Sequence, residues 1–128
     1  MLENAPDDTT VDVGNVHTRY WTLGDEGPPL VLIHGIGASV ESWAENIHPL
    51  AEAHRVYALD LVGFGYSDKP AAPYTLSFLA QFVSDFMETQ GIGRASVIGH
   101  SLGGGVALKL ALEHAGKVDK LVLVTSAG

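Results

Sequence analysis

Short apolar runs alternate along the chain with segments whose apolar residues recur at helical spacing, and this alternation limits the possible folds. Short runs with few polar interruptions are typical of strands that helices bury on both faces. Strands that alternate with helices pair in parallel through right-handed crossovers. The sequence therefore predicts an α/β fold, a mostly parallel sheet with helices on both faces. Four strands are predicted within this alternation, at residues 30–33, 55–61, 95–99 and 121–124.

Three segments between these strands are predicted to form helices, because their apolar residues fall on one helical face. Ser39 or Ser42 is a candidate N-cap of the first helix, and Thr75 or Ser77 of the second, which ends near Gly91. The third helix is rich in small residues and suits close packing. The first and third predicted helices cover residues 41–53 and 102–114.

A β-hairpin is predicted before this alternation. Polar and apolar residues alternate over 9–13 and 17–23, on either side of Gly14 and Asn15. The hairpin brings the expected number of strands to about six and is expected at one edge of the sheet. No repeat or interdomain linker is visible in residues 1–128, which are therefore expected to belong to a single domain.

Composition argues against several classes of partner. Fifteen acidic and seven basic side chains give a formal net charge of −8, which repels phosphate backbones and anionic lipid surfaces. We therefore expect neither nucleic-acid nor membrane binding. The chain has no cysteine, residues 1–10 do not resemble a signal peptide, and no apolar run reaches transmembrane length. A cytoplasmic location is the resulting expectation.

The residues with the clearest chemical meaning form a G-x-S-x-G motif at 99–103, between a predicted strand and a predicted helix. The serine of such a motif occupies a strained turn that lifts its hydroxyl above the sheet, and the flanking glycines leave room for the crowded backbone. The amino-terminal amides and dipole of the following helix favour the negative charge of a tetrahedral intermediate. Ser101 is therefore the predicted nucleophile.

Three motifs, in this order, resemble those of the α/β hydrolases. The H-G-I-G segment at 34–37 is similar to the oxyanion loop of that family, and the D-x-x-G-x-G-x-S segment at 60–67 to its glycine turn. Residues 99–103 are similar to its nucleophile elbow. The resemblance implies a serine hydrolase whose oxyanion hole consists of the backbone amides of Leu102 and Ile36.

The resemblance leaves the reaction partly open. Haloalkane dehalogenases and epoxide hydrolases share this fold but carry aspartate at the nucleophile position, so Ser101 argues against both. Other relatives cleave esters, lactones, amides or activated carbon–carbon bonds, or form peracids, and the three motifs do not separate them. We expect a small-molecule acyl substrate, such as a small carboxylic ester.

The mechanism of such enzymes needs a histidine and a carboxylate as well as the serine. In this family both follow the elbow on later loops, whereas only four residues follow Val124 in the sequence. We therefore expect residues 1–128 to be a partial domain that lacks the cap and the last strands. Two hypotheses stay open. The chain hydrolyses acyl substrates weakly or with residues from a partner chain, or it is a half-domain that folds and self-associates without turnover.

Two of the six histidines are expected near the nucleophile. His34 lies at the mouth of the predicted sheet, where it could form a dyad with Ser101, and a structural role in the loop beside Gly35 is the alternative. His100 is expected to pack or hydrogen-bond near the turn. No two histidines have a recognisable metal-ligand spacing, and the G-x-G at 63–65 lacks the rest of a dinucleotide fingerprint, so no metal or cofactor is expected.

Asp60 ends a predicted strand on the functional side of the sheet and is a candidate catalytic acid. The resemblance instead implies that it organises the loop, since carboxylates beside glycine turns commonly accept backbone hydrogen bonds. Trp43, Phe64 and Tyr66 are candidates either for a substrate pocket or for the core and its loop anchors.

The apolar strand at 120–124 is expected to have an unpaired edge. In the strand order that the resemblance implies, its next neighbour would come from the absent strands, which would leave its side chains exposed. We therefore expect a homodimer or homo-oligomer through this strand. Antiparallel pairing of the two copies and exchange of elements between them are the two possible arrangements.

Overall fold

In the computed structural model, which describes residues 4–125, strands and helices alternate along the chain. No helix in this range is both long and apolar enough to cross a membrane. The strands are β1 (Thr9–Val13), β2 (Val16–Leu23), β3 (Pro29–Ile33), β4 (Arg55–Leu59), β5 (Ala95–His100) and β6 (Val118–Val124). The helices are α1 (Ile47–Ala51), α2 (Leu76–Thr89) and α3 (Leu102–Glu113), and 3₁₀ turns lie at Val40–Trp43 and Ala115–Lys117.

The six strands form one sheet in the order β1-β2-β4-β3-β5-β6. β1 and β2 form an antiparallel hairpin around Gly14, whose φ of 59° suits a tight turn, and β2 pairs antiparallel with β4. The pairs β3–β4, β3–β5 and β5–β6 are parallel, as the alternation of strands and helices predicts. The predicted fold class, with its N-terminal hairpin, is confirmed.

Helices cover both faces of the sheet, and the central strand β3 shows why its sequence is apolar throughout. Successive side chains of a strand point to opposite faces. Val31 and Ile33 pack into the cluster that contains α2 and α3, whereas Leu30 and Leu32 pack into the cluster that contains α1. All four side chains are almost completely buried. Burial of this extent contributes about 1.5–3 kcal/mol for each side chain.

The second predicted helix is α2, and one of its two candidate caps is correct. The Thr75 hydroxyl accepts a hydrogen bond from the Phe78 amide at 3.0 Å. This bond satisfies one of the amino-terminal amides that have no partner inside the helix. The buried face of α2 then consists mostly of apolar residues at helical spacing: Leu79, Phe82, Val83, Phe86 and Met87.

The helix predicted over 41–53 is wrong as a continuous element, because only Ile47–Ala51 is α-helical. Its first part, Val40–Trp43, is instead a 3₁₀ turn, at whose start the Val40 amide donates to the buried carboxylate of Asp60 at 2.8 Å. Pro49 has no amide hydrogen, so a regular ladder of hydrogen bonds cannot pass through it.

The serine caps predicted for this segment are also wrong. Ser39 precedes the 3₁₀ turn, but its hydroxyl makes no capping bond and donates to the Glu41 carboxylate instead. Ser42 lies inside the turn, and the N-cap position of α1 is occupied by Asn46. The Ser39 hydroxyl therefore bonds to the Glu41 carboxylate rather than to a backbone amide of the turn.

β6 begins at Val118 rather than at residue 121, and among residues 4–125 it pairs only with β5. Three of its large apolar side chains are exposed: Val122 by 49%, Leu123 by 47% and Val124 by 42%. Exposed apolar side chains along an unpaired strand edge favour contact with another polypeptide.

Candidate active site

The segment predicted to be the nucleophile elbow is a sharp turn between β5 and α3. Ser101 has φ of 57° and ψ of −116°, and its side chain is exposed. A backbone in this region costs about 1–3 kcal/mol and persists only where neighbouring contacts hold it. The Ser101 amide donates to the carbonyl of Val124 in β6, and its carbonyl accepts from the Gly104 amide, both at 2.9 Å. The sheet and the helix together hold the hydroxyl above the ends of the strands.

Two glycines allow β3, β5 and α3 to approach this closely. A β-carbon on Gly99 would overlap the carbonyl group of Gly103, and a β-carbon on Gly103 would overlap the carbonyl oxygen of Ile33. Both neighbours are backbone atoms, which cannot rotate away as a side chain can. The glycine spacing of the motif is therefore a steric requirement of the turn.

Two backbone amides near Ser101 have no hydrogen-bond acceptor within residues 4–125. One belongs to Leu102, the first residue of α3, and the other to Ile36 on the loop after β3. The first amides of a helix lack partners inside it, and the aligned peptide dipoles make that end positive. Gly35 brings the two loops together, since a β-carbon built on it would lie 3.2 Å from the β-carbon of Ser101.

His34 is completely buried, and both of its ring nitrogens have partners inside the protein. Nδ1 lies 2.7 Å from the carbonyl oxygen of Gly35, which can only accept, so Nδ1 carries the proton. Nε2 accepts a hydrogen bond from the Leu61 amide at 3.0 Å. Neither nitrogen is free to take the proton of Ser101. The geometry thus does not support the dyad and gives His34 the structural role that was its alternative.

The buried environment of His34 predicts a loss of stability in mild acid. Burial lowers the pKa of this ring, although its hydrogen bond to Gly35 acts in the opposite direction. Above about pH 6.5 the ring is neutral in both the folded and the unfolded chain, so it adds no pH dependence there. Below that pH the unfolded chain binds a proton that the folded protein does not. The free energy of unfolding should then fall by up to about 1.4 kcal/mol per pH unit.

Urea unfolding between about pH 7.5 and about pH 5.5 measures this effect. The decline should begin near the ordinary pKa of histidine and should be smaller in His34→Gln, which keeps an amide donor and a carbonyl acceptor but does not titrate. An equal decline in the wild type and in His34→Gln would assign the pH dependence to other groups.

His100 lines the same pocket as Ser101 and packs against the loop after β3, where a β-carbon on Gly35 would lie 3.3 Å from its Nδ1. Within residues 4–125, no hydrogen bond joins the Ser101 hydroxyl to a histidine, and no group of three or more histidine, aspartate or glutamate side chains is arranged to hold a metal ion. Three of the other histidines bond elsewhere: His17 to Asp12, His48 to the carbonyl of Asn4 and His54 to the carbonyl of Leu50.

A buried charged cluster lies behind the loop after β3, and the motifs in the sequence do not indicate its central residue, Arg19. The Arg19 Nε donates to Asp60 at 2.7 Å, and its two terminal nitrogens donate to Glu41 at 2.8 and 2.6 Å. Burial opposes the charge of Arg19, but the bonds to Glu41 and Asp60 outweigh it and raise the pKa of the guanidinium. The same bond from Arg19 lowers the pKa of Glu41 to about 2.

Asp60 is completely buried and has the contacts of a loop organiser rather than of a catalytic acid. Besides Arg19, it accepts hydrogen bonds from the amides of Val40 and Tyr66, each at 2.8 Å. One sequence signal could have identified the cluster. Arg19 is followed by Tyr20 and Trp21 inside a predicted strand, and a basic residue in that setting needs a buried acidic partner.

A pocket of about 720 Å³ opens beside Ser101. Apolar side chains from the loop after β3, from the α1 region and from β6 form most of its wall, among them Ile36, Trp43 and Leu50. None of the described residues that line it is aspartate, glutamate, lysine or arginine. The pocket therefore suits an uncharged group.

The three aromatic candidates have different positions. Trp43 lines this pocket and is otherwise buried in the core beneath α1. Phe64 packs edge-on against the His34 ring, with 5.4 Å between the ring centroids. Tyr66 covers Arg19, whose guanidinium carbon lies 4.3 Å from the centre of its ring. Only Trp43 is thus placed to contact a molecule bound beside Ser101.

Sequence comparison identifies relatives over nearly the whole chain. The family described as alpha/beta hydrolase fold matches residues 28–127. The chain is 39% identical to the 2-hydroxy-6-oxo-6-(2'-aminophenyl)hexa-2,4-dienoic acid hydrolase of Metapseudomonas resinovorans, over 98% of this chain and 44% of that protein. It is 42% identical to the dihydrolipoyllysine-residue acetyltransferase component of the acetoin cleaving system of Cupriavidus necator, over 91% of this chain and 31% of that protein.

Comparison with solved structures gives the same result as comparison of sequences. The crystal structure of a membrane phospholipase A, described as a bacterial virulence factor, superimposes with a TM-score of 0.90 and 37% identity. The match covers 94% of this chain and 40% of that one. The chain thus spans less than half the length of these three proteins. With the elbow, the sheet order and the family match all in agreement, the chain belongs to the α/β hydrolase fold family.

Proposed function

We propose that the chain carries the nucleophile and the oxyanion hole of a serine hydrolase that acts on small carboxylic esters or related acyl substrates. The observation that carries this proposal is the position of Ser101, exposed in a strained turn at the amino terminus of α3. The free amides of Ile36 and Leu102 lie on the two loops that meet beside it. They would bind the substrate oxygen that becomes negative when the serine attacks.

Hydrolysis would proceed in two steps. Ser101 Oγ bonds to the carbonyl carbon and gives its proton to a base, and the ester bond breaks as the alcohol oxygen takes up that proton and leaves. Water then attacks the acyl-serine and releases the carboxylic acid. Each step needs a group that accepts a proton from the attacking oxygen. No histidine is bonded to Ser101 within residues 4–125, so we propose that this chain alone turns over weakly. A base and a carboxylate from further polypeptide would give full activity.

The pocket supports the proposed class of substrate. Its wall contains the apolar side chains of Ile36, Trp43 and Leu50 and no acidic side chain, lysine or arginine from the described residues. An uncharged acyl group of modest size would therefore bind beside Ser101. The relatives named as a dienoic acid hydrolase and as a phospholipase A support acyl chemistry in general, and their names differ in the substrate.

The experiment that tests the proposal is the hydrolysis of p-nitrophenyl acetate by the chain and by Ser101→Ala. This ester has a good leaving group, so its cleavage needs little help from a general acid. Turnover that depends on Ser101 would support the proposal. Equal rates for the two proteins would reject it for this chain.

The exposed side chains of β6 favour a second candidate, a half-domain that self-associates without turnover. Val122, Leu123 and Val124 are exposed side chains of β6, whose other edge has no partner strand among residues 4–125. We propose that two copies of the 128-residue chain pair through this strand, in antiparallel orientation or with exchanged elements. Self-association by itself does not exclude weak hydrolysis, because a second copy paired at β6, whose Val124 is bonded to the Ser101 amide, could bring a histidine or carboxylate toward Ser101.

Light scattering at increasing concentration measures this association. The 128-residue chain should be dimeric or larger, and Val122→Lys should shift it toward the monomer by placing a charge at the contact. Leu112→Lys, which changes an exposed leucine of α3 instead, is the matched control and should leave the assembly unchanged. A monodisperse monomer at high concentration would contradict the proposal.

A further inference from the structure

The loop that carries the Ile36 amide is held at both ends. At its start, Nδ1 of His34 donates to the Gly35 carbonyl, which also accepts a hydrogen bond from the Ala38 amide at 3.2 Å. At its far end, the Val40 amide donates to the Asp60 carboxylate. Only residues 36–39 lie between these attachments, and Gly37 adopts a left-handed φ of 69° there. The direction of the Ile36 amide therefore depends on both ends.

Arg19 joins the far end of this loop to the sheet. Its guanidinium binds both oxygens of Glu41, at 2.8 and 2.6 Å, and reaches Asp60 through Nε at 2.7 Å. Two parallel bonds from one guanidinium to one carboxylate fix orientation as well as distance. Ser39 adds a bond from its hydroxyl to the same Glu41 carboxylate at 2.5 Å. Residues 39–41 thus have three hydrogen bonds to the side chains of Arg19 and Asp60, one from the Val40 amide and two at the Glu41 carboxylate.

Burial restricts the movement of the Arg19 and Asp60 side chains. Arg19 is 3% exposed and Asp60 is completely buried. The Arg19 amide donates to the Ser67 hydroxyl, and its carbonyl accepts from the Asp60 amide, so the backbone of β2 is bound to the glycine turn as well. The ring of Tyr66 lies over the guanidinium and separates it from solvent. In this setting a hydrogen bond between charges is stronger than on the surface.

We propose that Arg19 is a positioning residue, which sets the direction of the Ile36 amide by holding Glu41 and Asp60 in one rigid cluster. The inference rests on the proposed function, in which that amide binds the oxyanion. An oxyanion donor acts only if it points to the place where the charge develops, and a small displacement of the donor lowers the rate. Arg19 itself does not line the pocket beside Ser101.

Three variants distinguish an effect on the position of the loop at 36–39 from an effect on folding of the chain. Arg19→Lys keeps the charge but loses the two-pronged contact, and Glu41→Gln keeps the shape but loses the charge. Glu41 is partly exposed, so its variant should fold even if changes at Arg19 do not. Arg94→Met is the matched control, because Arg94 is an exposed arginine paired with Asp119 at the opposite ends of the strands.

The first measurement is nitrogen-15 relaxation of the backbone, which needs no substrate. Order parameters of residues 36–39 should fall in Arg19→Lys and in Glu41→Gln and stay unchanged in Arg94→Met. The amide of Val40 should also exchange its hydrogen faster. The second measurement is kcat and KM for p-nitrophenyl acetate. We expect kcat to fall about 10-fold with KM unchanged within about two-fold, since the interaction is made in the transition state.

Equal order parameters in residues 36–39 of the wild type and both variants would overturn the proposal, whether or not the chain hydrolyses esters. A looser loop with an unchanged kcat in an active chain would also overturn it. If the wild type and Ser101→Ala have equal rates, the proposed function fails. The relaxation data alone then decide whether Arg19 holds the loop.

Discussion

Ser101→Ala should lower the hydrolysis of p-nitrophenyl acetate by about 100-fold, because the variant keeps the two amide donors but has no nucleophile. The wild-type rate itself should be modest. Systems that lack a triad member retain roughly 10³- to 10⁴-fold catalysis over water from the oxyanion hole and binding alone. Ordinary esters with poor leaving groups should not be cleaved by this chain.

Two controls distinguish loss of chemistry from loss of structure. Alanine has the same backbone restrictions as serine at φ of 57°, so urea unfolding of Ser101→Ala should match that of the wild type. His17→Ala removes an exposed imidazole and should leave the rate unchanged. If Ser101→Ala hydrolyses the ester as fast as the wild type, the activity belongs to surface histidines.

A fluorophosphonate probe reports the same site covalently, since it labels a serine only when some group removes its proton. Labelling of Ser101 in the 128-residue chain should be slow or absent at about pH 7, because no histidine is bonded to it within residues 4–125. Rapid stoichiometric labelling would show that a base is present, and would overturn the half-domain hypothesis.

Gly103→Ala should unfold the chain or destabilise it by about 3 kcal/mol or more. The added methyl group would overlap the carbonyl oxygens of Ile33 and His34, which belong to the central strand and to the residue after it. To remove this overlap, α3 would have to move away from β3, and this movement would separate Ser101 from the loop that carries Ile36. The variant would therefore lose both stability and the geometry of the turn at Ser101.

Gly105→Ala, two residues further along α3, is the matched control. Its β-carbon would meet only the flexible side chain of Leu76, at 3.3 Å. Alanine also has the better helix propensity, so stability should change by less than about 1 kcal/mol. Circular dichroism during urea unfolding measures both variants. A Gly103→Ala protein as stable as Gly105→Ala would show that α3 does not pack tightly against Ile33 and His34 at this position.

Much of the fold could be predicted because its signals are local. The apolar run of β3, the cap at Thr75 and the G-x-S-x-G motif depend on residues a few positions apart. The first predicted helix shows the limit of such patterns. Its apolar spacing is helical, but only Ile47–Ala51 is α-helical, and a carboxylate 20 residues away along the chain holds the Val40 amide at the start of a separate 3₁₀ turn.

The sequence by itself determined the alternation of strands and helices, the place of the G-x-S-x-G motif between a strand and a helix, and the glycines that this turn requires. Only the tertiary structure decided the hydrogen-bond partners of His34 and Arg19. Each depends on partners far along the chain: the Leu61 amide lies 27 residues from His34, and Asp60 lies 41 residues from Arg19. No periodicity or motif encodes such a pairing, because the folded sheet brings β2, β3 and the glycine turn together. Burial then makes each hydrogen bond obligatory, since an unpaired polar group there would be costly.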